Sequence, residues 1–225
     1  AEEILEFDPS LLIVSTGCSF KREIESMVKV LKKAREYSLL HCISIYPTPL
    51  HEANLSRLDY LKSLVSSVGL SDHSNYEADG LSILRWSVCK GIDFVERHFT
   101  ILDKEETKDG VVSLNPQQMR EAVKICQWKD SEKIRFQKNN QELESIIIGD
   151  SNRELSDVEL LNRDYYQGRF ASKSLNDQII FNWDRNFNAN NHLTDEYVVV
   201  PVKYSMFMSC NLYARINNFS FSSGY

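Results

Sequence analysis

The sequence predicts an α/β fold with a parallel sheet, because short apolar runs alternate with longer helical patterns over residues 1–135. Four apolar runs have the length and composition of strands: residues 11–14, 38–43, 68–71 and 92–95. This alternation is that of half a (β/α)8 TIM barrel. Half a barrel leaves two sheet edges and one apolar face open, so we expect the chain alone to aggregate, or to pair with another copy or its missing half.

The segments between and after these strands have the apolar spacing of amphipathic helices. Four helices are predicted: residues 19–37, 54–66, 76–89 and 117 to about 134. Ser19 is the predicted N-cap of the first helix, and Gly91 closes the third. His41 lies within the second apolar run, which indicates a buried, hydrogen-bonded core histidine rather than a metal ligand.

Two histidines, His73 and His98, follow the third and fourth apolar runs. Parallel strands joined by a right-handed helical crossover lie side by side, so both side chains emerge at one rim although 25 positions separate them. Either histidine alone is more typical of a surface or hydrogen-bonded residue. As a pair, neutral imidazoles from adjacent strands suit a divalent metal, and three acidic neighbours are available to orient them: Asp72, Glu96 and Asp109.

The segments STG, LLHCISIYPTP, GLSDHS and ERHFT occur in this order between residues 11 and 125. In order, spacing and type they resemble the C-terminal half of the barrel of sialic acid synthases (N-acetylneuraminate synthases), which assigns the four apolar runs to strands 5–8. The resemblance implies an enzyme that condenses phosphoenolpyruvate with N-acetylmannosamine or a related 2-acylamino sugar and releases phosphate. It also implies a divalent metal, Mn²⁺ or Mg²⁺, held by His73 and His98 as catalytic residues.

The same resemblance assigns substrate contacts to five further residues: Ser15, Ser44, Tyr46, Ser71 and Asp109. Ser15 and Ser71 are expected to contact phosphoenolpyruvate, although the Ser-Thr-Gly tripeptide taken alone indicates a plain strand-to-helix turn. Ser44 and Tyr46 lie just past the second apolar run and are expected to face the substrates. Asp109 is expected to contact the sugar.

The sequence departs from the family pattern in two places, one in the loop before Asp109 and one after residue 135. Thr107 and Lys108 stand where the family usually has Gly-Pro, so the loop before Asp109 admits a different sugar. The family's C-terminal domain, which is similar to antifreeze proteins and reaches the active site of a partner subunit, is not recognisable here. The resemblance to the family implies that the full-length protein is a homodimer. Residues 136–175 instead indicate a charged linker, and 176–225 a tail or a small strand-rich appendage with a β-like run at 196–207.

Residues 1–7 have the pattern of the last turns of a helix whose beginning is absent. We therefore expect the chain to be a fragment that is inactive alone, since the family's phosphate-binding lysines belong to the preceding half of the barrel. Two alternatives stay open at this point. One is a metal-dependent aldolase, and the other is a truncated, non-catalytic interaction subunit.

Composition is that of an ordinary globular protein: 225 residues, 42% hydrophobic and 26% charged. A net charge of −6 argues against a nucleic acid or an anionic membrane as the main partner. No apolar run is long enough to span a bilayer, and the start does not resemble a signal peptide. The five cysteines are odd in number and mostly lie in apolar patterns, which indicates free thiols in a reducing cytoplasm.

Overall fold

A curled parallel sheet of four strands forms the centre of the protein in its computed structural model, which describes residues 2–107, 109–170, 210–215 and 221–223. The strands lie side by side in chain order: β1 Leu12–Ser15, β2 Tyr37–Cys42, β3 Val68–Asp72 and β4 Phe94–Phe99. All three neighbouring pairs are parallel. The predicted α/β class is confirmed, and the four strands have the form of a half-barrel.

Two further strands continue the sheet beyond β4. Strand β5, Cys210–Arg215, pairs antiparallel with β4, and β6, Phe221–Ser223, pairs antiparallel with β5. The β-like run predicted at 196–207 lies outside the described residues. The C-terminal part of the chain thus adds two strands to the edge of the sheet next to β4.

Helices connect the parallel strands and continue after them. In chain order those of the described residues are α1 Glu2–Leu5, α2 Lys21–Leu31, α3 Arg57–Leu64, α4 Tyr76–Asp79, α5 Ser82–Cys89, α6 Pro116–Cys126, α7 Asp130–Asn139, α8 Gln141–Ile147 and α9 Asp157–Phe170. Single 3-10 turns lie at Leu50–Glu52, Lys104–Glu106 and Gly110–Val112.

Three helices differ from their predicted extents, each for a local reason. Helix α2 ends at Leu31, because the next residues turn towards β2. The third predicted helix is divided into α4 and α5 at Gly80, whose φ of 61° lies in the left-handed region that glycine tolerates. The fourth is divided into α6 and α7, because Lys129 begins a new helix by donating its backbone N–H to Glu132 at 2.9 Å.

The two faces of the sheet carry different packing. Side chains alternate along a strand, so Leu39 and Val95 enter the main core against the helices. Their neighbours Leu40 and Phe94 form a smaller cluster with Leu11 on the inner face. Apolar residues predicted on the second helix are buried in the main core: Leu55, Leu58, Leu61 and Val65. Each fully buried leucine contributes about 1.5–3 kcal/mol relative to exposure.

The region expected to be a charged linker, 136–175, holds the end of α7 together with α8 and α9. It is joined to the half-barrel by backbone hydrogen bonds from Leu55 and Ser56 to the carbonyls of Ile147 and Ile148, at 3.0 and 2.8 Å. Ile147 is fully buried. This segment, as far as residue 163, therefore packs as part of the same folded unit. Within the part of the chain that the structure describes, no helix has the length and apolarity needed to cross a membrane.

Candidate active site

A layer of polar side chains lies across the inner face of the sheet at the carboxyl ends of the strands. Strand register places Cys42 beside Ser71, and Ser71 beside Glu96. The Ser71 hydroxyl donates to Glu96 Oε1 at 2.6 Å, and Ser15 ends the neighbouring strand β1. The strand ends thus carry one polar residue from each of the four strands to the rim where barrel proteins bind their ligands.

Cys42 lies at the centre of this layer, and the sequence analysis did not assign it to the site. Its sulfur lies 3.9 Å from the Ser44 hydroxyl oxygen and 3.9 Å from Nδ1 of His73, and Ser15 and Ser71 are its further polar neighbours. Burial raises the pKa of the Cys42 thiol to about 11, so the group is neutral at physiological pH. The signal available in the sequence was its place two residues before Ser44, on the same side of an extended chain.

The two predicted histidines meet beyond this layer. The ring centroids of His73 and His98 are 5.1 Å apart, and the ring of Tyr46 is 4.0 Å from the first and 6.0 Å from the second. Both imidazoles are buried, whereas Tyr46 is 49% exposed. The structure therefore groups three of the seven predicted site residues into one aromatic cluster with an opening to solvent.

Burial keeps both imidazoles neutral. It lowers the pKa of His73 to about 3, and the neighbouring His98 and Arg97 act in the same direction. Burial also lowers the pKa of His98, against the opposing charges of Asp109 and Glu96. The Nδ1 atom of His73 lies 3.3 Å from the carbonyl oxygen of Ile43, an arrangement that favours a proton on Nδ1 and a lone pair on Nε2.

His98 is close to the loop that carries Asp109. Its Nδ1 atom is 3.9 Å from Asp109 Oδ2, too far for a hydrogen bond, and has no hydrogen-bond partner among the described residues. Both side chains are more than two-thirds buried. A buried ring nitrogen without a partner is costly, so this position suits an additional group between the imidazole and the carboxylate.

Neutral imidazoles with an unpartnered buried nitrogen fit a divalent metal ion. Within the described ranges, no group of three or more His, Cys, Asp or Glu side chains is arranged to hold one. A metal at this site would therefore take two ligands, His73 and His98, from the described residues. Its other positions would be open to substrate or water.

A buried ion pair braces the two strand ends behind the histidines. Arg97 and Asp72 are register partners, with Nη1 of Arg97 2.7 Å from Asp72 Oδ1. Arg97 also donates to the carbonyl oxygens of Asp72 and Ser74, at 2.9 and 2.5 Å. Both charged side chains are at least 97% buried, and each directly precedes a histidine. The pair fixes the backbone from which both imidazoles project.

This brace corrects one expectation about the acidic neighbours. Asp72 pairs with Arg97, and Glu96 accepts the hydroxyl of Ser71, so neither carboxylate binds a histidine nitrogen directly. Asp109 is the acidic neighbour that faces a ring. The backbone carbonyl of Ile43, rather than a carboxylate, contacts His73. His41 is buried, with Nε2 2.7 Å from the carbonyl oxygen of Ala53, which confirms its prediction as a core residue.

The serine positions differ in exposure. Ser71 is buried, whereas Ser15 is exposed and its hydroxyl accepts the backbone N–H of Gly17 at 3.3 Å. Ser44 is held by α9, because its carbonyl oxygen accepts a hydrogen bond from Asn162 at 2.6 Å. Sequence reasoning missed Asn162, since no local pattern connects two residues 118 positions apart.

A parallel half-barrel with polar and ionisable residues gathered at its strand ends has the architecture of the α/β barrel proteins. The family model described as the NeuB family matches residues 5–135, more than half of the chain. The chain therefore belongs to the NeuB family. The resemblance to sialic acid synthases is confirmed by relatives that carry those names.

Curated relatives match parts of the chain. It is 42% identical over 117 residues to an uncharacterized protein of Methanocaldococcus jannaschii, covering 50% of this chain and 33% of that protein. It is 31% identical over 111 residues to N-acetylneuraminate-9-phosphate synthase of Drosophila melanogaster, covering 48% and 29%. It is 28% identical over 172 residues to a pseudaminic acid synthase of Campylobacter jejuni, covering 75% and 45%. The chain thus spans 29–45% of the length of these relatives.

Among solved structures, the chain is similar to the spore coat polysaccharide biosynthesis protein SpsE of Bacillus subtilis. The TM-score is 0.54 at 22% identity, and the match covers 70% of this chain and 44% of that one. At this identity the similarity shows the fold alone.

Proposed function

We propose that this protein condenses phosphoenolpyruvate with N-acetylmannosamine or a related 2-acylamino sugar, giving a nonulosonic acid of the sialic acid type and phosphate. Membership of the NeuB family supports the proposal, since its named relatives are sialic, legionaminic and pseudaminic acid synthases. The observation that carries it to particular residues is the grouping of His73, His98 and Tyr46 beside Asp109.

His73 and His98 are proposed to hold a divalent metal, Mn²⁺ or Mg²⁺. Their low pKa values support this role, because a neutral imidazole keeps a lone pair available at neutral pH. When bound, such a metal supplies Lewis-acid polarisation of the aldehyde oxygen of the sugar. The Asp72–Arg97 brace supports the role by limiting movement of the two strand ends.

Tyr46 and Asp109 are proposed to orient the sugar at the exposed side of the histidine pair. The Asp109 carboxylate accepts hydrogen bonds from sugar hydroxyls, and a site built for such bonds discriminates against analogues that lack them. Tyr46 is half-exposed and stacks near His73, so its ring forms one wall of the opening.

Ser15, Ser44 and Ser71 are proposed to contact the substrates, the first and last of them through the anionic groups of phosphoenolpyruvate. The Ser71 hydroxyl donates to Glu96, so binding of the anion exchanges one acceptor for another. Ser15 is exposed at the end of β1, where an anion reaches its hydroxyl without such an exchange.

An activity assay tests the reaction. The protein, expressed as its gene encodes it, is incubated with phosphoenolpyruvate and one sugar from a panel of N-acetylmannosamine, diacetamido sugars, arabinose and erythrose. The release of phosphate and the formation of 2-keto acid are measured. We expect turnover with the 2-acylamino sugars and little with the simple aldoses. Equal rates with arabinose or erythrose would contradict the proposed substrate. Condensation when pyruvate replaces phosphoenolpyruvate, with none from phosphoenolpyruvate, would indicate the metal-dependent aldolase.

A metal titration tests the two ligands separately from the reaction. Binding of Mn²⁺ is measured by calorimetry for the wild-type protein and for His73→Ala and His98→Ala, with His51→Ala as the matched control because His51 is exposed. We expect each site variant to lose metal binding and turnover, and the control to keep both. Unchanged metal binding in both site variants would contradict the proposal that His73 and His98 are the metal ligands. Absence of metal binding in the wild-type protein would favour the non-catalytic alternative.

A further inference from the structure

Helix α9 contacts the backbone of Ser44. The side-chain amide of Asn162 donates to the Ser44 carbonyl oxygen at 2.6 Å, and the Ser44 backbone N–H lies close enough to the Glu159 carboxylate to help lower its pKa. Both partners come from α9, more than a hundred residues later in the chain. The position of Ser44 therefore depends directly on the placement of this helix.

Glu159 is a rigid support for these contacts. Its side chain is fully buried and receives both terminal nitrogens of Arg153, at 2.6 and 2.7 Å, in a bidentate pair. Ser156 adds a backbone N–H at 3.1 Å. A buried carboxylate with this many donors has one stable placement, so the first turn of α9 and the residues just before it have one defined arrangement.

The same helix fastens the end of β1. The Cys18 thiol donates to the backbone oxygen of Glu159 at 3.5 Å, and Arg163 donates to the backbone oxygen of Cys18 at 2.6 Å. Arg163 continues to the two carboxylate oxygens of Glu23, at 2.9 and 2.5 Å. Close packing at Gly17, where a Cβ would lie 2.6 Å from the Ser44 hydroxyl oxygen, leaves no space for the two strand ends to approach further.

We infer that α9 is a strap across the ends of β1 and β2, and that Asn162 is a positioning residue that sets substrate affinity by fixing Ser44. The inference rests on the proposed function, because it takes Ser44 as a substrate contact. A helix that only covered apolar surface would not need a side-chain amide that donates to a backbone carbonyl at the rim. The strap lies outside residues 5–135, the part that defines family membership.

Hydrogen exchange tests the strap without any substrate. Exchange at the Ser44 amide is compared between the wild-type protein, Asn162→Ala and the matched control Leu161→Ala, whose side chain on α9 is 70% exposed. We expect about tenfold faster exchange at Ser44 in the Asn162 variant, because loss of the hydrogen bond to the Ser44 carbonyl oxygen favours local opening of this backbone, and no change in the control. Equal exchange in both variants would overturn the inference.

Enzyme kinetics then test the effect on affinity. Ser44→Ala first identifies the substrate whose KM depends on Ser44. For that substrate we expect Asn162→Ala to raise KM about tenfold, with a smaller change in kcat, because a misplaced Ser44 weakens binding. In the Ser44→Ala/Asn162→Ala double variant the two increases in KM should not multiply, because both substitutions remove the same interaction with the substrate. A KM equal to that of the control, or fully multiplicative effects, would show that Asn162 has only a structural role.

These outcomes separate the inference from the proposed function. If the wild-type protein shows no condensation with any sugar, the proposed function fails, while exchange at Ser44 still decides whether the strap exists. If the protein condenses its substrates and Asn162→Ala matches Leu161→Ala in both measurements, only the inference fails. Asn162→Leu is the second variant and replaces Asn162→Ala if that protein does not fold.

Discussion

The ends of β3 and β4 are held together by their own residues, whereas the ends of β1 and β2 are held by a helix from later in the chain. The first pair, called here the histidine half, contains residues 72–74 and 97–98 and is joined by the buried Asp72–Arg97 ion pair. The second, called the serine half, contains residues 15–18 and 42–46. It is joined through Glu159, Asn162 and Arg163 of α9.

This difference shows that one rim can combine two kinds of support. In the histidine half, the supporting residues belong to adjacent strands of a single βαβ unit, so any change there disturbs the sheet itself. In the serine half, the support is a separate element, so we expect that it opens without unfolding the sheet. Substitutions in the first half should reduce global stability, and those in the second should act mainly on local opening.

The largest expected effect is that of Arg97→Met. It leaves the buried Asp72 carboxylate without its partner, and breaking a buried pair in this way costs about 3–5 kcal/mol. Urea denaturation of the protein as its gene encodes it measures this loss in the free energy of unfolding. The control is Arg35→Met, because Arg35 pairs with Asp8 at the surface and exposed pairs contribute only about 0–1 kcal/mol. Equal losses in both variants would contradict the brace.

Arg153→Met applies the corresponding change to the serine half. The fully buried Glu159 carboxylate would lose its bidentate partner, and we expect the free energy of α9 opening to fall by about 3 kcal/mol. Hydrogen exchange in residues 157–163 and limited proteolysis both report this opening. Global unfolding should change much less than in Arg97→Met. A loss of global stability as large as in that variant would remove the distinction between the two halves.

The third prediction concerns acid. Burial lowers the pKa of His41, in β2, to about 4, against about 6.5 when unfolded, so the unfolded state binds more protons between these values. The stability linked to His41 is therefore fully present above about pH 6.5 and is lost as the pH falls towards 4. Between pH 7.5 and 5 this histidine should account for a loss of about 2 kcal/mol.

His41→Gln should reduce that acid loss by the same amount, even if its stability at pH 7.5 is lower. His73, whose pKa is lowered to about 3, contributes with the same sign and remains in the variant. Denaturation at the two pH values in the wild-type protein, His41→Gln and the exposed control His51→Gln measures the difference. An unchanged pH dependence in His41→Gln would show that folding does not lower the pKa of this imidazole.

The smallest effect is expected from Glu23→Gln, which changes the residue of α2 that pairs with Arg163 of α9 next to the serine half. The substitution keeps an oxygen for the backbone N–H of Phe20 but removes the charge that faces Arg163. This pair is partly exposed, and its loss should lower stability by less than about 1 kcal/mol. Denaturation at low and high salt checks this, since screening should abolish most of the difference. A larger loss that persists in high salt would indicate that the strap depends on this contact more than on Glu159.

The sequence was sufficient for the sheet and for the histidine pair. Buried parallel strands are apolar along their whole length, and the handedness of the crossover brings His73 next to His98 whatever the details of packing. The Asp72–Arg97 pair could be predicted in the same way, because each residue directly precedes a histidine. The two side chains must therefore lie on the same face of the sheet. It was missed because the acidic residues were considered only as partners of the histidines.

The docking of α9 could not be predicted in the same way. Its position depends on the path of residues 127–156, where two short helices and a turn at Gly149 change the direction of the chain. No local pattern fixes that path. Charged residues such as Arg153 and Glu159 also indicate a solvated surface by composition alone, and only their mutual burial shows otherwise.

The hydrogen bond between Asn162 and Ser44 has a consequence for synthesis on the ribosome. Translation proceeds at about 5–20 residues per second, so Asn162 emerges about 3–13 s after His98. During that interval the paired histidines can already assemble, while the Ser44 backbone is hydrated and the neighbouring strand ends are uncovered. We therefore expect the nascent chain to pass through a state in which the histidine half has folded and the serine half is still accessible to chaperones.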